Sequence, residues 1–411
     1  MASGANITRA DHTDAFIGNR IDDIAIYLTV IHYVALPNIG NRGLAGAPLT
    51  GANFMAYDGS NPRVDITETT ADRIQGPQRR ILPRLGSPAG TRRFTDNRDG
   101  TVTDSNTGLI WLKNAGCFDP ANWADALAKV NALATGGCGL SDGSTAGQWR
   151  LPNTNELESM VDVSASNPAL TPGNPFTGVS LSIYWSSTSY FGGQAGSPSA
   201  WAIQFSDGRY INDSVSNSKQ TAFNQVWAVR DSGVGSPTLQ ATGAFVAFAD
   251  GDDGSVQSGV PPTFPRWLDK GDGTIIDTVT GLIWLKQADC IHQTWANAMT
   301  AVHALSAGQC GLIDGSAAGA WRMPNRKEML SLSDRAQNNH ADFFNRTYLN
   351  LDYTVFQAAI FSNFIAYQYY WTSSVLAANL TSAWTVFSCD FGVYNIPRES
   401  VGYTLAVRSP R

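Results

Sequence analysis

The feature that most restricts the fold of this chain is an internal duplication. The stretch DGTVTDSNTGLIWLK at 99–113 returns as DGTIIDTVTGLIWLK at 272–286. The correspondence continues in order: Cys117 with Cys290, Trp123 with Trp295, Cys138 with Cys310, WRLPN at 149–153 with WRMPN at 321–325, and Glu156 with Glu328. It closes with YWSS at 184–187 against YWTS at 370–373, Trp201 against Trp384, and AVR at 228–230 against AVR at 406–408. Solenoid repeats recur every 20–50 residues or so, far less than this spacing, so each copy is a whole domain. The chain of 411 residues then divides into a region at 1–90 for assembly or attachment, a first repeat at 94–231, a linker at 232–264 and a second repeat at 265–411.

Each copy reads as α+β. Asp96, Asn97, Asp99 and Gly100 form a turn between two short strands, and Asn106, Thr107 and Gly108 form another. The result is a β-meander ending in the apolar strand 109–112. Trp123, Ala124, Leu127, Val130 and Leu133 then recur at helical spacing, which predicts an amphipathic helix. Pro152 opens a second helix, with Asn153 as its N-cap and Glu156 as the reciprocal acceptor; Asn325 and Glu328 are the equivalents. Strands around Tyr184 and Trp185, 201–205 and 226–230 complete an antiparallel sheet beside two helices.

The five cysteines take their meaning from the duplication. Each copy places one cysteine before the first helix and one after it. Cys117–Cys138 and Cys290–Cys310 are therefore expected as disulfides closing matched loops, worth about 3 kcal/mol each in the chain-entropy model. A metal site is the rival reading, but no histidine accompanies each pair at ligand spacing. Cys389 has no counterpart, because Ser206 stands in its place, and is expected as a buried thiol.

Composition excludes several function classes. Only 15% of residues are charged and the net charge is −6, whereas nucleic-acid binding depends on lysine and arginine contacts to phosphate. Nucleic acid is not an expected partner. The longest apolar run, 24–36, is interrupted by His32 and is too short to span a bilayer, which needs about 20 residues. Met1 to Gly4 lack the basic start and apolar stretch of a signal peptide. The histidines His12, His32, His292, His303 and His340 never fall at matching positions of the two copies. Neither a nucleophile elbow nor a paired-histidine zinc motif occurs. No enzymatic activity is expected.

The ordered set of motifs, from DGTV and TGLIWLK through the cysteine, WRLPN, YWSS and the closing VR, resembles the domain family named for the C-terminus of the Legionella collagen-like adhesin. The resemblance covers about 94–231 and 265–409. It implies a fold similar to C-type lectins and sulfatase-modifying factors, hence two tandem C-type-lectin-like domains. It also implies an exported or surface-displayed bacterial protein that binds a carbohydrate or protein ligand and self-associates. The expected location is extracellular or at the bacterial cell surface, with a virion as the alternative. The expected function is surface binding or adhesion, with a structural subunit of a filament, coat or phage fibre as the alternative.

Candidate binding residues follow from divergence. The stretches 209–223 and 391–403 lie between the same framework strands yet share little. They offer Tyr210, Asn212, Asp213, Tyr394, Asn395 and Arg398, an aromatic and amide mixture suited to adaptable recognition. No cofactor is required. Calcium stays open at Asp96, Asn97, Asp99 and Asp104 and at Asp250, Asp252 and Asp253, although neither run has the alternating order of a calcium loop, and hairpin turns favour Asp, Asn and Gly for their own reasons. Structural roles are expected for Trp111, Trp149, Arg150, Glu156, Trp185 and Arg230.

Overall fold

A computed structural model describes residues 93–190, 197–211, 216–232, 239–261, 265–345 and 359–409, all within one compact unit. The region 1–90, read as an assembly or attachment segment, lies outside the described residues, as do Asn212 and Asp213.

In the first repeat β1 (Phe94–Asp96), β2 (Thr101–Asp104) and β3 (Leu109–Leu112) form the expected antiparallel meander. Its turn chemistry is local. Asp99 Oδ1 accepts from the backbone N–H and the hydroxyl of Thr101. Gly100 adopts φ +87°, and a Cβ there would lie 2.4 Å from Gly139 O, so the turn can be closed only by glycine. Gly273 repeats this against Gly311 O.

Helix α1 (Trp123–Asn131) buries Trp123, Ala126, Leu127 and Val130 and is capped by the Asn122 side chain. It ends before Leu133, which is buried in the following turn. Helix α2 (Thr154–Met160) carries the full capping box between Asn153 and Glu156; Pro152 precedes the cap and does not open the helix. A second sheet follows, of β4 (Ile183–Tyr190), β5 (Ser199–Gln204) and β6 (Tyr210–Ile211). Strand β7 (Val229–Asp231) returns to the first sheet, which has the order β1-β2-β3-β7.

The linker is structured. It contains a one-turn helix, α3 (Asp253–Val256), capped by Asp252. Residues 239–258 run across the first repeat as a strap: Gln240 O accepts from Asn155 Nδ2, and Ser258 O accepts from Asn153 Nδ2.

The second repeat rebuilds the plan with β8 (Trp267–Asp269), β9 (Thr274–Asp277), β10 (Ile283–Leu285), β11 (Ile291–Thr294), α4 (Trp295–Ala304) and α5 (Arg326–Ser331). It adds a helix, α6 (His340–Asn345), and then forms β12 (Tyr369–Val375), β13 (Ser382–Phe387), β14 (Val393–Pro397), β15 (Val401–Thr404) and β16 (Val407–Arg408). Its meander sheet has the order β16-β10-β9-β8. Its second sheet is wider, β11-β15-β12-β13-β14, because β11 and β15 pair where the first repeat forms no such strands. The architecture is α+β with mainly antiparallel sheets in tandem halves, as the sequence implied.

The matched motifs are framework. Trp111, Trp149, Trp185 and Trp227, and likewise Trp284, Trp321, Trp371 and Trp384, are fully buried, each ring removing roughly 150–250 Å² from water. Arg150 Nη2 donates to Glu156 Oε1 at 2.7 Å, and Arg322 meets Glu328 in the same way. Arg230 reaches Asp142 at 3.1 Å and Arg408 reaches Asp314 at 2.9 Å. Cys117 pairs with Cys138 and Cys290 with Cys310, with Cα separations of 5.6 and 5.7 Å. Cys389 is a buried free thiol.

Candidate functional site

The acidic turns are committed to local roles. Asp96 accepts from Lys113 Nζ at 2.8 Å, and that bond holds its carboxyl below the usual range. Asn97 bonds Thr101 and Thr103. Asp104 receives Arg93 and Thr107. Asp252 caps α3, and Asp253 accepts from Thr188 and Thr242 at 2.7 and 2.6 Å. Among the described residues no three His, Cys, Asp or Glu side chains gather as metal ligands.

Tyr210 requires a correction. It was expected in a recognition loop, but only 4% of it is exposed. Cross-strand register explains this. Ile203 pairs with Tyr210, and its counterpart Val386 pairs with Val393. Tyr210 therefore corresponds to Val393, and the counterpart of Tyr394 is Ile211. One residue of slip moves a side chain to the opposite sheet face, so Tyr210 points inward where Tyr394 points outward.

The inward face meets the other repeat. The Arg326 guanidinium lies 4.5 Å from the Trp384 ring and 5.9 Å from Tyr210. The Arg335 guanidinium lies 5.4 Å from Tyr210 and 4.4 Å from Trp201. Rings and cations thus alternate as Trp384, Arg326, Tyr210, Arg335 and Trp201 across the seam between repeats. Glu158 of α2 receives Arg326 Nε and Nη2 at 3.0 and 2.7 Å. Lys327 Nζ donates to the carbonyls of Glu158 and Val161. Burial pushes the Tyr210 hydroxyl pKa up and that of Arg335 down. Gly208 supplies a carbonyl to Arg326 at 2.5 Å from a left-handed turn. Phe391, in the same place of the second repeat, supplies one to Arg335.

Sequence reasoning missed this seam because its charged members, Glu158, Arg326, Lys327 and Arg335, lie outside the repeated motifs. The available signal was divergence inside a matched helix: TNELESM at 154–160 becomes RKEMLSL at 326–332. Two cations enter and an acid leaves at positions flanking a conserved capping box.

The outward face differs between repeats. In the second, Tyr369 pairs with Phe387 in register. Tyr369, Phe387 and Tyr394 form a ring cluster with centroid distances of 5.2, 5.8 and 6.1 Å. All three are half-buried, Asn395 is half-buried across from Trp384 on the other face of the sheet, and Tyr367 is 72% exposed. The Tyr394 hydroxyl bonds Asp390 at 3.4 Å, which fixes the ring. The first repeat has Ile183, Gln204 and Ile211 at these registers. Arg398 lies apart from this edge, its guanidinium 4.8 Å over Trp295. Of the predicted residues, then, Tyr394 lies in this cluster, Asn395 pairs with Trp384 and so takes the opposite sheet face, Arg398 packs over Trp295, and Tyr210 is inside the seam.

These features define a tandem pair of disulfide-stapled α+β modules joined by a buried charged seam, with an aromatic edge on the second module. The chain belongs to the Lcl C-terminal domain family, whose model matches residues 100–230 and again 273–408. No curated protein and no solved structure matches the chain. Membership suggests a surface-associated protein, and both disulfides are compatible with that location. No helix among the described residues is long and apolar enough to cross a membrane.

Proposed function

We propose that the chain is a non-catalytic, extracellular or cell-surface binding protein that takes a carbohydrate or protein ligand at the aromatic edge of the second repeat. The carrying observation is the Tyr369, Phe387 and Tyr394 cluster, present in one repeat and replaced by aliphatic and amide side chains in the other. Half-exposed rings offer π-faces to the C–H faces of a sugar, or area to an apolar side chain, at low entropic cost. The exposed amide of Gln368, the residue before Tyr369, supplies hydrogen bonds at the rim. The framework acids and bases support this reading, since they are spent on caps, turns and ion pairs.

A glycan array read with and without calcium tests it. Saturable binding that falls at least about tenfold in Tyr394→Ala, some 1.4 kcal/mol, and is independent of calcium is the expected result. Binding unchanged in Tyr394→Ala and Phe387→Ala would move the ligand elsewhere. A structural reading is favoured by the buried seam, which makes the repeats a rigid spacer suited to a filament or coat. Electron microscopy of native material showing ordered polymers without ligand binding would favour it.

A further inference from the structure

The strap fills a groove of the first repeat whose counterpart exists in the second. In the first, Lys219 Nζ sits between two rings, 4.1 Å from Trp123 and 4.6 Å from Phe248 of the strap. Asn153 Nδ2 donates to the strap carbonyl of Ser258. Gly251 and Val256 of the strap line one cleft with Leu127 and Val130 of α1. The cation, the ring, the amide and the apolar floor all belong to the repeat; the strap contributes an aromatic side chain and three carboxylates, Asp250, Asp252 and Asp253.

The second repeat keeps the ring, the cation, the amide and the apolar floor, while the counterparts of Asn155 and Thr188, Lys327 and Ser374, are spent on the seam and on Arg326 N–H. Trp295 replaces Trp123, and Arg398 replaces Lys219; in each case the carbonyl of the cationic residue accepts from the tryptophan backbone N–H. Asn325 replaces Asn153 and Met299 replaces Leu127. Arg398 lies over Trp295, yet among the described residues no second ring closes on its guanidinium. Met299 and Asn325 are half-buried where Leu127 and Asn153 are buried. The exchange of lysine for arginine widens the surface on which a ring can stack. The groove therefore presents a ring, a cation, an amide and a floor of the kind the strap recognises, with Met299 and Asn325 more open than their counterparts Leu127 and Asn153.

We propose that the groove formed by Trp295, Met299, Asn325 and Arg398 docks a strap-like peptide presented by another polypeptide: an aromatic side chain that closes over Arg398, followed within a few residues by paired aspartates. The occupant's chemistry is argued from the chain itself, because the strap shows what fills this groove once it is built. Asp252 of the strap acts electrostatically on Lys219, and an acidic run docked in the second groove would face the cationic Arg398. This site is separate from the aromatic edge and does not depend on a ligand binding there.

A labelled synthetic peptide of the strap, GAFVAFADGDDGSVQS from 243–258, titrated onto the full chain by fluorescence anisotropy, tests the proposal. Saturable binding is expected, weakened at least about tenfold by Arg398→Ala or Met299→Glu in the protein, and by Phe248→Ala in the peptide. The peptide variant guards against misfolded protein variants, because it leaves the protein untouched. No saturable binding overturns the proposal, as does equal binding of the Phe248→Ala peptide. Binding that ignores Arg398 and Met299 but is lost in Lys219→Ala also overturns it, because the peptide would then be displacing the chain's own strap from the first repeat.

Discussion

Glu158 and Arg326 occupy positions where the opposite repeat has Leu330 and Thr154. Their side chains are 1% and 0% exposed, so each ion has lost its hydration and depends on the other. Arg326 Nη1 finds no acceptor among the described residues, and flanking rings supply the rest of its stabilisation, with cation–π contacts of about 2 kcal/mol when desolvated. Removing one partner of a buried pair leaves an uncompensated charge and costs roughly 3–5 kcal/mol. Replacing both with apolar or small residues removes the desolvation penalty with the attraction. Glu158→Ala is therefore expected to destabilise the protein by roughly 3–5 kcal/mol in urea titration. The pair Glu158→Leu with Arg326→Thr, which installs each repeat's residue in the other, is expected to recover most of that loss. A double variant as unstable as the single one would show that the pair itself stabilises the seam.

At the scale of elements, the strap is the part whose hold depends on pH. Burial pushes the Asp253 carboxyl up to about 6, against the lowering effect of the Thr242 and Thr188 hydroxyls. The folded chain then binds a proton more readily than the unfolded chain between the ordinary carboxyl value of 3.8 and about 6. Stability falls as pH rises through that window, by up to about 3 kcal/mol, and stays low above it. His340 works the other way. Burial drives its pKa down to about 3, with one ring nitrogen at Cys389 O and the other at the Asp334 N–H. The neutral ring therefore costs stability as pH falls below 6.5. A local readout separates the two. Amide exchange in 239–258, corrected for intrinsic rates, is expected to slow from pH 7 to pH 5, and Asp253→Asn is expected to abolish the difference. Exchange that quickens on acidification in the unaltered chain would refute this.

The elements also show how far sequence reached. The meander, the capping boxes at Asn153 and Asn325 and the paired cysteines were legible because their partners lie a few residues away or recur in register. Strands β11 and β15 were not, since Ile291–Thr294 pairs with Val401–Thr404 and nothing local marks a distant edge. The facing of Tyr210 against Tyr394 depends on a register that a loop sequence does not encode. The strap reads as a linker, and its packing on Lys219, Thr188, Asn153 and Asn155 is what gives it structure. At the aromatic edge, Tyr394 was named from loop divergence, whereas Tyr369 and Phe387 were hidden inside framework strands.

For the whole molecule, the question is whether two modules of one plan melt separately. One apolar cluster runs from Trp111 and Val229 of the first repeat to Trp384, Val386, Phe391 and Val393 of the second. Arg335 and Arg326 thread the same boundary, so separating the repeats would hydrate large aromatic faces and expose buried charges together. A module that lost its neighbour would forfeit the seam and its share of that cluster, an energy comparable with the whole margin of about 5–15 kcal/mol that keeps a domain folded. The partner would therefore not persist alone. Calorimetry of the oxidised chain is expected to show one transition covering both repeats, with calorimetric and van't Hoff enthalpies in agreement. Arg335→Ala, which empties the space between Trp201 and Tyr210, should lower that transition and broaden or split it. Two resolved transitions in the unaltered chain would mean that the repeats fold independently and that the seam couples them too weakly to hold the aromatic edge at a fixed angle to the first repeat.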